Sequence, residues 1–128
     1  MYGGLQETTA QETAIINRLK ITKAGPHELA ESSQLVLDWI QEKRIQHMAI
    51  HLDLDVIDPK SFRSLLFAQP DGSTVDAPNG EMTLLQIARI IQDVSRQADV
   101  VGLAIAEHLP WDAINLKKFL ESLPIFGK

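Results

Sequence analysis

Two short apolar runs, with a helix-patterned segment between them, leave this chain few folds to choose from. "MAIHLDLD" begins at Met48 and "ADVVGLAIAE" ends at Glu107. The second run is nearly continuous in its apolar character and rich in valine, which predicts a short strand covered on both faces. Between them, Leu84, Ile87, Ala88, Ile91 and Val94 recur at helical spacing behind a T-x-x-Q capping box that starts at Thr83. Strand, helix and strand in that order make a right-handed crossover between parallel strands. The expected fold class is therefore α/β.

The rest of the chain fits the same alternation. Residues Met1 to Gln6 read as a short strand leading into a turn. "TTAQETAIINRLK" reads as a helix capped by Thr8 or Thr9, with Ala14, Ile15 and Leu19 as its apolar positions. "ITKAGP" is a brief extended piece, and Pro26 suits the first turn of a helix running to about Lys43. Leu29, Ser33, Val36, Leu37 and Ile40 share one face of that helix. A strand follows from about His47. Residues Pro59 to Glu81 show no sustained period and read as a long loop, a type of segment that is often functional. A last helix is expected over Asp112 to Leu123. No repeat or linker divides the chain, so residues 1–128 are read as a single α/β unit.

Composition removes several classes of function. The net charge of −5, with no block of Lys and Arg, argues against nucleic-acid binding. The absence of cysteine removes disulfide frameworks and zinc–thiolate sites. No apolar run approaches the roughly 20 residues of a membrane span, and the first residues do not resemble a signal peptide. The expectation is a soluble, cytoplasmic protein without membrane partners.

Chemistry concentrates where the two runs end. Asp53 and Asp55 close the first, and Glu107 closes the second. In open parallel sheets ligands bind beyond the carboxyl ends of the strands, so these three carboxylates are expected to converge on one edge. His51, Asp53 and Asp55 share a parity and are expected on one face, with Met48, Ile50, Leu52 and Leu54 on the other. Two carboxylates so placed repel one another, and a hard divalent cation would relieve that. Each residue also has a plainer reading. A lone D-x-D is more often a pair of turn and cap residues, and Asp58-Pro59 suits a turn and is read as structural. His51 is more readily a hydrogen-bonding neighbour than a ligand, and Glu107 alone can cap a helix. Trp39 and Trp111 are read as packing aromatics.

"HLDLDVIDP" resembles the S-F-D-x-D-x-x-D-P signature of the arginase/agmatinase, or ureohydrolase, family. "GEMTLLQIARII" resembles that family's G-x-x-T segment, and "VVGLAIAEHLP" resembles its strand ending in E-x-N-P, all in the same order. The resemblance implies a three-layer α-β-α fold with a mostly parallel sheet. It also implies a hydrolase in which two Mn2+ ions activate a hydroxide against a guanidinium carbon, releasing urea. Asp53 and Asp55 then fall on metal ligands, and Glu107 on the glutamate that pairs with a small guanidino-type substrate. His51 stands where the family has serine, and His108 lies inside the E-x-N-P motif, whose Asn is absent. Both are candidates for hydrogen-bonding to the site.

The departures limit what is implied. The family's earlier G-G-x-H and D-A-H-x-D segments do not occur here, so the chain resembles only the C-terminal half of a larger domain. That half carries too few ligands for a binuclear site, and the chain alone is expected to be inactive, with partial metal or none. A central strand would also be missing, leaving unpaired edges and favouring a homo-oligomer. The loop lacks the P-x-x-G-G-L-T pattern of arginases, so arginine, agmatine, a guanidino acid and a formimino compound all remain open as substrates.

Three other readings compete. A Toprim-like site also uses D-x-D with Glu, but there the Glu precedes the pair. A receiver-type signalling domain needs a lysine after its last strand, which "AEHLPW" lacks. A non-catalytic α/β interaction or metal-binding domain is consistent with every motif quoted.

Overall fold

A computed structural model describes residues 1–73 and 75–126; Thr74, within the expected loop, lies outside that set. Strands and helices alternate as the patterning requires. The first half holds β1 (Tyr2–Gly3), α1 (Ala10–Arg18), β2 (Lys23–Ala24), α2 (Pro26–Leu29) and α3 (Gln34–Lys43). The second holds β3 (His47–Asp53), α4 (Leu84–Ser95), β4 (Asp99–Ala106) and α5 (Ala113–Glu121). The class is α/β and all strand pairing is parallel, but in two separate two-stranded sheets, β1 with β2 and β3 with β4.

The β3–β4 ladder runs from His47 opposite Asp99 to Asp53 opposite Ala106, with an irregularity between Met48 and Ala49. On one face, Ile50, Leu52, Leu103 and Ile105 join the core together with Ile87, Ile91 and Val94 of α4. The centre of that core lies just after β3, where Leu54, Ile57, Phe62 and Leu65 are fully buried. The first part of the expected loop is therefore core. It includes a 3-10 turn over Leu66–Ala68, after which the described residues up to Gly80 form no helix or strand.

Two capping boxes set the helix starts. The Thr9 hydroxyl accepts from Glu12 N–H while the Glu12 carboxylate accepts from Thr9 N–H, and Thr83 and Gln86 repeat the arrangement on α4. Each cap satisfies N–H groups that the first helical turn leaves open.

Three expectations need correction. The helix from Pro26 to Lys43 is two helices, broken across Ala30–Ser33. The cause is Arg89 of α4, whose guanidinium donates to the carbonyls of Leu29 and Ala30 and to the Ser33 hydroxyl. Those carbonyls are held by a side chain rather than by further helical turns. On α1 the buried residue is Ile16, whereas Ile15 and Leu19 are exposed, because four apolar residues within six positions left the facing side ambiguous. Finally, β4 is not covered on both faces. Ala49, His51, Asp53 and Ala104 are exposed on the side away from the core, and Val101 is 64% exposed. No described helix closes over that side of the small residues.

Candidate functional site

β3 ends at Asp53, and the chain turns at once into a single 3-10 turn, Leu54–Val56. The Asp53 carboxylate starts that turn by accepting from the N–H of Asp55 at 2.9 Å. Asp55 is thus not on the strand, and the alternation expected to bring it beside Asp53 does not operate. A side chain-to-backbone turn brings the two together instead, as is characteristic of Asp. Leu54 drives into the core behind them.

The turn is fixed from below. Met82 N–H donates to the Val56 carbonyl at 3.0 Å, and Asp58 N–H donates to Met82 O at 2.8 Å. Gly80 lies so close that a Cβ there would sit 2.4 Å from the Asp55 carbonyl oxygen. Only a residue without a side chain fits. Asp58 ends the segment as a turn residue, its carboxylate accepting from Lys60 N–H, with Pro59 between them.

β4 delivers Glu107 beside this turn. Asp53 is opposite Ala106 in the ladder, so Glu107 is the first residue past the strand's end. Its φ of 58° is in the left-handed region, where a residue with a side chain costs of order 1–3 kcal/mol. Beyond it the chain is tied to the long loop by the fully buried Ser64. The Ser64 carbonyl accepts from Leu109 N–H at 2.9 Å and its hydroxyl accepts from Asp112 N–H at 2.8 Å. Gly80 is the glycine of the G-x-x-T segment, whose part in fixing this turn the sequence did not reveal, and Ser64 was not singled out, since a lone serine gives no signal.

Asp55 feels the other two carboxylates. Burial pushes the Asp55 carboxyl up to about 6, and the charges of Asp53 and Glu107 add to the rise. Asp55 Oδ1 is buried without a hydrogen-bond partner. Asp53, Asp55 and His51 line one cleft of about 500 Å3 together with Tyr2 to Gln6, in and just after β1, Val56 and Phe67. His108 is elsewhere, against Ala113, Leu116 and Lys117 of α5. Trp39 packs on the core and Trp111 is partly exposed, at 37%.

An oxygen without a donor among crowded carboxylates has the chemistry of a hard-cation ligand. The number of donors falls short, however. Among the described residues, no three His, Cys, Asp or Glu side chains group closely enough to hold a metal ion. Among the described residues, no helix is long and apolar enough to cross a membrane.

No protein-family model matches the sequence, and no curated protein matches it. Solved structures do match the fold. Arginase from Helicobacter pylori superposes with a TM-score of 0.73 at 20% identity, over 94% of this chain and 40% of that one. Entamoeba histolytica arginase, solved in complex with L-ornithine, gives 0.69 at 21% identity, over 100% of this chain and 43% of that one. Formimidoylglutamase from Bacillus subtilis gives 0.61 at 15% identity, over 95% and 41%. The resemblance carried by three short motifs is thus matched by the course of the whole backbone. The chain has the arginase-like fold, and it spans less than half the length of the enzymes that share it.

Proposed function

We propose that this chain is one part of a ureohydrolase-type hydrolase that cleaves a C–N bond in a guanidino or formimino compound. The observation that carries the reading is the meeting of Asp53, Asp55 and Glu107 at the carboxyl edge of β3 and β4. Asp53 and Asp55 serve as carboxylate ligands of a manganese site completed by residues this chain does not contain. Bound manganese supplies an activated hydroxide in chemistry of this type. Glu107 pairs with the planar cation of the substrate, for which two carboxylate oxygens are well matched. His51, exposed on the same face as Asp53, is the histidine placed to hydrogen-bond at the site, whereas His108 lies against α5 and away from it. The arginase and formimidoylglutamase folds support the class, and the acidic edge supports the residues.

The chain alone falls short of the ligand count, so it is expected to be inactive by itself, holding partial metal or none. For the free chain that shortfall favours the second reading, a non-catalytic α/β interaction domain. The test is an assay for urea and ammonia with the longest form purified from its source without chelators. Arginine, agmatine, a guanidino acid and formiminoglutamate are supplied in turn with manganese. Turnover on one of them is expected. Asp53→Asn and Asp55→Asn should reduce it to background, and Glu107→Gln should lower kcat/KM by about 10- to 100-fold. Failure of all four substrates with manganese bound would leave the interaction reading standing.

A further inference from the structure

Gly80 is glycine because the turn above it leaves no room for anything else. A Cβ there would overlap the backbone of Asp55, Val56 and Ile57. The residue before it is Asn79. A glycine after asparagine leaves the peptide nitrogen unscreened by a side chain, so that nitrogen can reach the asparagine's own amide carbon. The glycine that the acidic turn requires is therefore also the neighbour that makes Asn79 reactive.

The surroundings leave that reaction open. Asn79 is exposed, in a stretch without helix or strand, and its carbonyl is tied only to the exposed Gln6 side chain, which donates at 3.2 Å. Among the described residues, the Gly80 N–H donates to no backbone carbonyl. The same loop offers a contrast at Asp71-Gly72. There the Gly72 N–H donates to the Gln69 carbonyl at 3.1 Å, and the Asp71 carboxylate accepts from Ser73 N–H at 2.9 Å. Both groups that would react are occupied, and a carboxylate is a poor electrophile. The chain's two other asparagines, Asn17 and Asn115, lie inside α1 and α5, where helical bonding engages the next N–H.

We infer that Asn79 is a site of spontaneous deamidation that loosens the Asp55 turn as the protein ages. The Gly80 nitrogen attacks Asn79 Cγ. The N–Cγ bond forms, the Cγ–Nδ2 bond breaks, and ammonia leaves with the proton lost by the glycine nitrogen. Water then opens the cyclic imide. Opening at Cγ gives aspartate on the original backbone. Opening at the main-chain carbonyl gives isoaspartate, in which the chain runs through Cβ and Cγ and is one carbon longer. Either product adds a negative charge next to Pro78, which lines the cleft with Asp53 and Asp55. The isoaspartate also lengthens the chain directly before Gly80, which has no room to shift against Asp55. The misfit falls on the bonds that hold the turn, from Met82 N–H to the Val56 carbonyl and from Asp58 N–H to the Met82 carbonyl.

This inference concerns the turn itself and does not depend on the hydrolase reading. The test is incubation of the purified chain at mildly alkaline pH, folded and, in parallel, unfolded in urea. Peptide mapping that separates aspartate from isoaspartate follows Asn17, Asn79 and Asn115, and hydrogen exchange follows the amides of Asp58 and Met82. Conversion in the folded chain should be confined to Asn79, and the isoaspartate form should exchange at both amides more than about tenfold faster than fresh protein. Asn79→Ala, aged alongside, should keep the slow exchange. Freshly made Asn79→Asp carries the charge on an unaltered backbone and should exchange within about twofold of the parent. Four results would overturn the proposal: conversion of Asn79 in urea alone, earlier conversion at Asn17 or Asn115, an isoaspartate form that exchanges like fresh protein, or Asn79→Asp exchanging as fast as the aged chain.

Discussion

Asp55 meets two opposed demands. Its amide is needed to complete the turn begun by Asp53, while its carboxylate is held partly away from water beside two like charges. The folded-state value of about 6 lies above its ordinary 3.8. Between those values the metal-free folded chain keeps a proton that the unfolded chain has released. Stability therefore falls as pH rises through that window and stays lower above it. Asp55→Asn should flatten this slope and raise stability at pH 7 by about 1 kcal/mol, a figure reduced for the solvent that still reaches the side chain. Urea titrations of both proteins from pH 4 to pH 7 check it; a variant less stable than wild type at pH 7 would remove the repulsion from the account. The sequence named this residue for a reason that did not hold. Strand alternation put it beside Asp53, whereas an Asp-initiated turn does so, because the strand yields to Leu54 entering the core.

At the scale of elements, what was legible was local. The Thr9 and Thr83 boxes, the spacing of Ile87, Ile91 and Val94, and the runs that became β3 and β4 all depend on residues a few positions apart. The break between α2 and α3 was not legible, because Arg89 reaches carbonyls 59 and 60 residues away in the chain. Without that guanidinium the Leu29 carbonyl loses its donor in a partly buried place, and Ala30 keeps only the longer bond from the Gln86 amide. Arg89→Met, which keeps the aliphatic stem, should cost about 2 kcal/mol by urea denaturation. Arg96→Met, at the exposed end of the same helix, should cost under about 0.5 kcal/mol. Equal losses at the two positions would mean that Arg89 acts through general charge and not through the break.

For the whole molecule, the order of strands and helices gave parallel pairing, yet nothing in a linear pattern says which strand edges stay open. Leu85, Val101 and Ile114 are among the largely exposed apolar side chains, at 83%, 64% and 71%. The isolated native chain should accordingly enhance the fluorescence of a hydrophobic dye above that of a globular control of similar size. Emission at the control level would mean that these surfaces are covered in solution.

The β3–β4 ladder joins His47 to Asp99, a separation of 52 residues. Closing so long a stretch costs chain entropy before any ladder bond can offset it. The capped helices can form early on contacts within their own turns, whereas the acidic edge exists only once its two strands have found register. The carboxylates therefore meet only when the long-range pairing forms. Their mutual repulsion weighs on the same step that brings Leu52, Leu54 and Ile105 together in the core, and the burial gained there offsets it.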